Sequence, residues 1–343
     1  MQTIKKILRI LFFGAFLLAA ACTNGQPAQE TPSSAPQASV ISVENASSLQ
    51  SVSRLDVSQV TSVKWTLDGK AFWVQSTHSA GLYDNQTLQA IAGYDVGEST
   101  YIYDVSPDGR LVAYALEEPA VVLYDVLDRQ EVGHIALDSY SQQAAFSPDG
   151  SMLGAISSDV WQITLWDVKS GEQIKALTGF ETAAPIYSFR FGDDGKTVTW
   201  IARATIQPMD IASAQMGPSI RHEDFISASA LSPDGKLLAT AAAGTVEGEF
   251  KPLVTIWDPH TAAQLAGFSD ADTFSALAFS PDSKLLAAAG KDKILFWDME
   301  SMQAAGEIST PAEFIHALQF SPDGRALISA ASEGIVQIWH IPQ

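Results

Sequence analysis

The tetrapeptide Ser-Pro-Asp-Gly recurs through this chain, and any fold must accommodate the recurrence. Intact copies stand at 106–109, 147–150, 232–235 and 321–324. Ser280-Pro281-Asp282-Ser283 keeps three of the four letters, and Thr66-Leu67-Asp68-Gly69 and Gly192-Asp193-Asp194-Gly195 are worn copies. The shared aspartates are Asp68, Asp108, Asp149, Asp194, Asp234, Asp282 and Asp323, spaced by 40, 41, 45, 40, 48 and 41 residues. A period this constant means one supersecondary unit copied seven times, none of which can bury its apolar face alone.

Each copy has the same surroundings. An apolar alternating run leads in, as in Ala276-Leu277-Ala278-Phe279. In the turn, Pro presets the first dihedral, Asp tolerates the second and Gly takes the positive φ that closes a hairpin. A second apolar run follows. A third ends in Trp-Asp or its relic: Leu82-Tyr83-Asp84, Leu123-Tyr124-Asp125, Leu165-Trp166-Asp167, Ile256-Trp257-Asp258, Phe296-Trp297-Asp298 and Ile338-Trp339-His340. A fourth short run completes the unit. Four short strands per unit, seven times, predict an all-β, seven-bladed β-propeller. The blades are built on Val63–Asp84, Ile102–Asp125, Gln143–Asp167, Tyr187–Asp210, Ala228–Asp258, Ala276–Asp298 and Ala317–His340, the fourth being the most eroded. The recurring Trp and Tyr are expected to pack between sheets, and the Asp after each to accept turn amides.

The last unit stops after its third strand. The segments Val40–Val43 and Leu49–Leu55 resemble the third- and fourth-strand end of a unit. The N-terminal strand is therefore expected to complete the last blade and close the ring, which removes two exposed edges.

Ahead of the ring, Lys5, Lys6 and Arg9 precede an apolar run from Ile10 to Ala21. Twelve apolar residues are short for a membrane crossing, which takes roughly 20, and fit a secretory h-region. The run ends Leu18-Ala19-Ala20-Ala21-Cys22, and Cys22 is the only cysteine of the chain. The ending resembles a bacterial lipoprotein cleavage box, with Ala19 where Leu is usual. The resemblance implies a signal peptide over 1–21, cleavage before Cys22, lipid on its thiol and new amino group, and anchorage outside the cytoplasm on the cell membrane or outer membrane. Residues 22–39 hold no large apolar side chain and read as a Pro/Ser/Ala tether, leaving 40–343 for the propeller.

The turn, the apolar strand, the Ile/Leu-x-Trp-Asp ending and the 40-residue period together resemble the WD40 repeat family over about residues 40–341. TolB-type propellers share the Ser-Pro-Asp-Gly turn. The resemblance implies a scaffold for protein or peptide partners. The family's Gly-His before each first strand is replaced by Gly93-Tyr94, Gly179-Phe180 and Gly267-Phe268. The buried network made by that His is therefore not expected, and packing stands in for it.

Departures from the period mark a face. From turn Asp to third-strand end takes 16 to 18 residues in six blades but 24 from Asp234 to Asp258. The extra residues, 243–252, read as a long loop between second and third strands. A second insertion surrounds 179–185. In an antiparallel blade these loops and the blade-to-blade links share one face, opposite the Ser-Pro-Asp-Gly turns. That face gathers acids and aromatics: Tyr94, Asp95, Tyr140, Phe180, Glu181, His222, Glu223, Asp224, Phe225, Glu247, Glu249, Phe250, Phe268, Asp270, Asp272 and Phe314, with Tyr101 and Tyr187 in the same links. Aromatics anchor interfaces, although the same residues would serve to cap blade ends. Arg190, Arg203 and Arg221 are available to pair with the acids.

The 20 Lys and Arg stand against 39 Asp and Glu, for a formal charge of −19; losing Lys5, Lys6 and Arg9 takes it to −22. This balance argues against nucleic acid. The six histidines show no metal-ligand spacing, and no nucleophile elbow, Walker loop or dinucleotide loop occurs. No cofactor and no metal are implied, and little supports catalysis. The leading expectation is an envelope-anchored scaffold that docks a protein or peptide partner. An enzyme or small-ligand receptor at the channel mouth, and an assembly factor for envelope proteins, are the alternatives.

Overall fold

The computed structural model describes residues 38–157, 162–179, 186–246, 249–269 and 273–342. The leader, Cys22, and most of the tether lie outside these residues, as do Phe180, Glu181, Glu247, Asp270 and Asp272 and the side chain of Phe250.

Seven four-stranded antiparallel sheets follow one another along the chain. Blade one runs Val60–Trp65, Ala71–Ser76, Ser79–Asp84 and Ala90–Asp95, from inside to outside. The first strands of the others are Ile102–Val105, Ser141–Phe146, Ser188–Phe191, Ile226–Leu231, Ala276–Phe279 and Ile315–Phe320. First strands pack on neighbouring blades around a common axis. Blade seven is completed by Gln50–Asp56, which pairs antiparallel with Ile335–His340 from Gln50↔His340 to Asp56↔Ile335. The N-terminal strand therefore closes the ring, as expected. Val40–Val43 is not a strand. Its residues lead into a 3₁₀ turn at Ala46–Ser48, and Ile41, Ala46 and Leu49 sink into the seam between blades six and seven. The Arg325 guanidinium donates to the Ala38 carbonyl.

The core is distributed over the seams. Each of seven hydrophobic clusters straddles one pair of neighbouring blades. No sheet has a buried face without its neighbour, which is the physical content of the sevenfold repeat.

The turns work through side chains as well as dihedrals. Ser147 Oγ donates to Asp149 Oδ1 at 2.6 Å and accepts from the Met152 amide at 2.9 Å. Asp149 Oδ1 in turn accepts from the Ser151 amide at 3.0 Å. The same triangle forms around Asp68, Asp108, Asp234, Asp282 and Asp323. Gly150 has φ 73° and sits against the Pro107 ring, where an added Cβ would come within 3.3 Å. Gly69, Gly109, Gly235 and Gly324 lie in the same way against the turn before, whereas Gly195 meets nothing within 4 Å. The strand-end aspartates behave as expected: Asp125 accepts from the Leu127 and Asp128 amides, both at 2.9 Å.

The Trp and Tyr of the third strands are packing groups. Trp166, Trp297 and Trp339 are buried, and Trp339 and Trp257 donate to Ser329 Oγ and Thr240 Oγ1 at 2.9 and 2.8 Å. Opposite this Trp or Tyr the fourth strand bulges by one residue in six blades, at Val52, Ile91, Val132, Ile174, Leu265 and Ala305.

Candidate protein-docking face

The blade-to-blade links and the loops between second and third strands form one face and hold each other. The Val96 amide donates to the His78 carbonyl, Leu137 to Pro119, His222 to Ala204 and Phe314 to Lys291, all at 2.8 to 2.9 Å. The extra residues of blade five are not a loop. They lengthen a hairpin, with second and third strands of Leu238–Val246 and Glu249–Trp257 pairing up to Val246↔Glu249. The four added residues per strand raise this hairpin about 13 Å above the other blades, at ~3.3 Å per residue. Glu249 is exposed at its tip and pairs with Lys251 at 2.9 Å.

The structure divides the aromatic and acidic residues into two groups. Tyr94, Phe268 and His222 belong to the seams. Tyr94 stacks on Tyr124 of the next blade, with centroids 3.8 Å apart and planes 18° apart. Phe268 stacks on Trp297 of the next blade at 4.9 Å and 14°. The aromatic after Gly93 and Gly267 therefore replaces a histidine network with a ring stack. Gly179-Phe180 is not the third such place. By strand register Leu177 faces Ile163 as Tyr94 faces Ala80 and Phe268 faces Val254, so Ala176-Leu177 occupies it. His222 lies edge-on to Trp257 at 5.3 Å. Burial pushes its pKa down to about 4, so it is neutral and structural rather than an interface charge.

The second group points outward. Tyr140, Phe225 and Phe314 are each more than half exposed, and Tyr187 and Tyr101 join them. All five stand on links just before a first strand, so they ring the mouth of the channel on one face. Tyr140 and Tyr101 are oriented by hydrogen bonds from their hydroxyls to the Glu117 and Ser141 carbonyls, at 2.6 and 3.1 Å. Phe314 is held at φ 53°, a conformation costly for a bulky residue. Its backbone is fixed there by the Lys291 carbonyl and the Ser332 amide. Asp95, Glu98, Glu223, Asp224 and Glu313 are exposed among these rings. Beside Tyr94 and Asp95, a cleft of about 320 Å³ opens between Val57 and Tyr83, where the facing Gly81 and Gly93 supply no side chains.

No three His, Cys, Asp or Glu side chains converge among the described residues. Arg190 does not pair with the acids of the links: it lies on a first strand two residues from the turn, at the other end of the channel.

The sequence matches the family described as WD domain, G-beta repeat over residues 263–298 and 306–340. Each stretch runs from the fourth strand of one blade to the Trp of the next, and together they cover the region of blades six and seven. Comparison with curated proteins returns no match.

Proposed function

We propose that this WD40-like propeller is a scaffold, anchored at the bacterial cell envelope by lipid on Cys22, that docks a protein or peptide partner on its link face. The fold supports a protein-interaction role in general. One observation directs that role to this face: five aromatic side chains stand exposed in equivalent links, although packing does not require their exposure. Aromatic anchors surrounded by polar groups are how interfaces concentrate binding energy. The carboxylates between them favour a partner with a basic contact surface, because opposite charge steers encounter and rejects acidic competitors. The raised hairpin of blade five gives the face one wall, which restricts the direction of approach. Anchorage rests on the leader and the single cysteine read from the sequence.

The test is capture from detergent-solubilised membranes with the full lipidated chain. The control carries Tyr140→Ala, Phe225→Ala and Phe314→Ala. A partner held by the first and lost from the control, with identical circular dichroism and melting, supports the reading. A partner retained equally by both removes the link face from the mechanism. Metabolic labelling with a radioactive fatty acid tests the anchor separately: label lost in Cys22→Ser supports it, and an unlabelled parent chain rejects it.

A further inference from the structure

Two residues before the Trp or Tyr of a third strand, the chain faces the same seam as that ring. The place holds Val122, Thr164, Gln207, Thr255, Leu295 and Gln337 in blades two to seven, but Gly81 in blade one. Across the ladder Gly81 meets Gly93, so neither strand supplies a side chain. Elsewhere the same pair is Val122↔His134, Leu295↔Glu307 or Arg54↔Gln337. The result is the open cleft of about 320 Å³, on the link side of the seam between blades seven and one. Val74 backs it, and Val57, just after the ring-closing strand, forms one wall. A Cβ at Gly93 would meet no side chain, so nothing of this chain fills the cleft.

The cleft leaves polar groups to be used. Trp257 and Trp339 donate to Thr240 Oγ1 and Ser329 Oγ on the second strands of their own sheets. By strand register Val74 stands in that place in blade one, and it cannot accept. Tyr83 instead leans over Gly81: a Cβ at residue 81 would come within 2.7 Å of its ring and 3.0 Å of its hydroxyl oxygen. Among the described residues the Tyr83 hydroxyl has no hydrogen-bond partner. Asp95 lies two residues beyond Gly93 on the same side of its strand, at the mouth. Its Oδ1 accepts from the Gly97 amide at 2.8 Å, and among the described residues its carboxylate makes no ion pair. Glu98 is exposed on the same link.

We propose, building on the docking role above, that this cleft receives one lysine or arginine side chain of the docked partner. The aliphatic stem lies along Val57, Val74 and the two glycine backbones, which take its methylenes out of water. The cationic tip donates to the Tyr83 hydroxyl, an acceptor as well as a donor. The Asp95 carboxylate at the mouth supplies the opposite charge. An apolar side chain would leave the hydroxyl unpartnered, and an acidic one would meet Asp95 and Glu98. Ligand sites run upward from about 300 Å³, so the cleft suits one long side chain rather than a folded segment.

The full chain in detergent is titrated with N-acetyl-argininamide and N-acetyl-lysinamide, against the N-acetyl amides of citrulline and norleucine, by saturation-transfer NMR. Citrulline keeps the shape of arginine and norleucine the stem of lysine, and neither side chain is charged. The expectation is saturable binding of at least one cationic amide, about tenfold tighter than its neutral counterpart. Tyr83→Phe keeps the ring stacked on Phe72, and Asp95→Asn keeps an acceptor for the Gly97 amide. Each should weaken binding about fivefold. No saturable binding of either cation, equal affinity for the neutral amides, or parent affinity in either variant overturns the proposal. The chain carrying Tyr140→Ala, Phe225→Ala and Phe314→Ala should bind the amides as the parent does, so its loss of a protein partner reports on docking alone. Cation binding with no captured partner would remove the docking role and keep the cleft as a cation site. A captured partner with no cation binding would keep the docking role and remove the cleft from it.

Discussion

Six blades carry two aspartates, one in the turn and one after the third strand, that spend their charge on backbone amides; blade seven has His340 at the second place. The Thr87 amide and hydroxyl hold the Asp84 carboxyl below its usual range, and those of Ser213, hydroxyl first, do so for Asp210. The same holds for Asp167, Asp258 and Asp298. A depressed carboxyl contributes stability that is complete above its unfolded pKa, about 4, and is lost as pH falls through the folded value. Burial acts on His222, His316 and His340 in the same direction, disfavouring their charged forms. Their contribution is complete above about 6.5 and declines toward the folded values. Urea midpoints should therefore fall in two stages, gently from pH 6.5 to 4 and steeply below. His222→Phe, which keeps a ring against Trp257, is expected to flatten the first stage and leave the second. An unchanged slope between pH 6.5 and 4 would show that His222 is not buried as described. The aspartates were legible as turn acceptors because their spacing to Ser, Gly and Trp is fixed. Arg190 was not, because a sequence position does not show whether an acid comes within reach.

At the scale of strands, what distinguishes the candidate residues is the neighbour they meet. Phe268→Ala removes a ring stacked on Trp297 and half-buried in a seam, and should cost about 2–3 kcal/mol in urea denaturation, below the range for a fully buried Phe. Phe225→Ala should cost less than ~0.5 kcal/mol, as at an ordinary surface position. Equal costs would mean that both belong to one environment and that the two groups of the docking face are wrongly drawn. The sequence set Phe225 and Phe268 in one group, whereas Phe268 lies on the fourth strand Gln264–Ser269 and Phe225 on a link; the sequence does not show the division because stacking depends on the register between blades. Register also misled at Phe180, where a glycine three positions beyond the equivalent place, Ala176, imitated the pattern. The blade-five insertion read as a loop because Gly244, Gly248 and Pro252 are turn residues, whereas the ladder below it fixes the pairing and extends it. The repeated fourth-strand bulge was also hidden, since one extra residue in a strand leaves no mark in composition. It leaves Val52, Ile91, Val132, Ile174 and Leu265 exposed, one in each of five blades, and a bulge increases the local twist of its strand. Such a twisted edge is a poor template for another chain.

For the whole molecule, stability is a property of the closed ring. Each seam is buried from both sides, so one open seam exposes the apolar faces of two blades. The period gave the number of blades. The missing fourth strand after Ile341 gave the closure, because an unpaired third strand has to find a partner. The sequence did not show that the link before Gln50 is also part of the seam, with Ile41, Ala46 and Leu49 buried between blades six and seven. Two truncations separate these contributions from the rest of the N-terminus. A chain beginning at Ala38 keeps both the strand and the buried link, and should melt cooperatively within ~2 °C of the full chain, since less than about 1 kcal/mol is lost. A chain beginning at Val57 loses the strand paired with Ile335–His340 and uncovers that edge beside Trp339. It should lose its cooperative transition, bind a hydrophobic dye and aggregate through the exposed edge. Adding a peptide of residues 38–56 should restore the transition in proportion to peptide concentration, as ligand binding to the folded state requires. A cooperative melt near the parent temperature for the chain beginning at Val57, without peptide, would show that the seven seams do not depend on the closing strand.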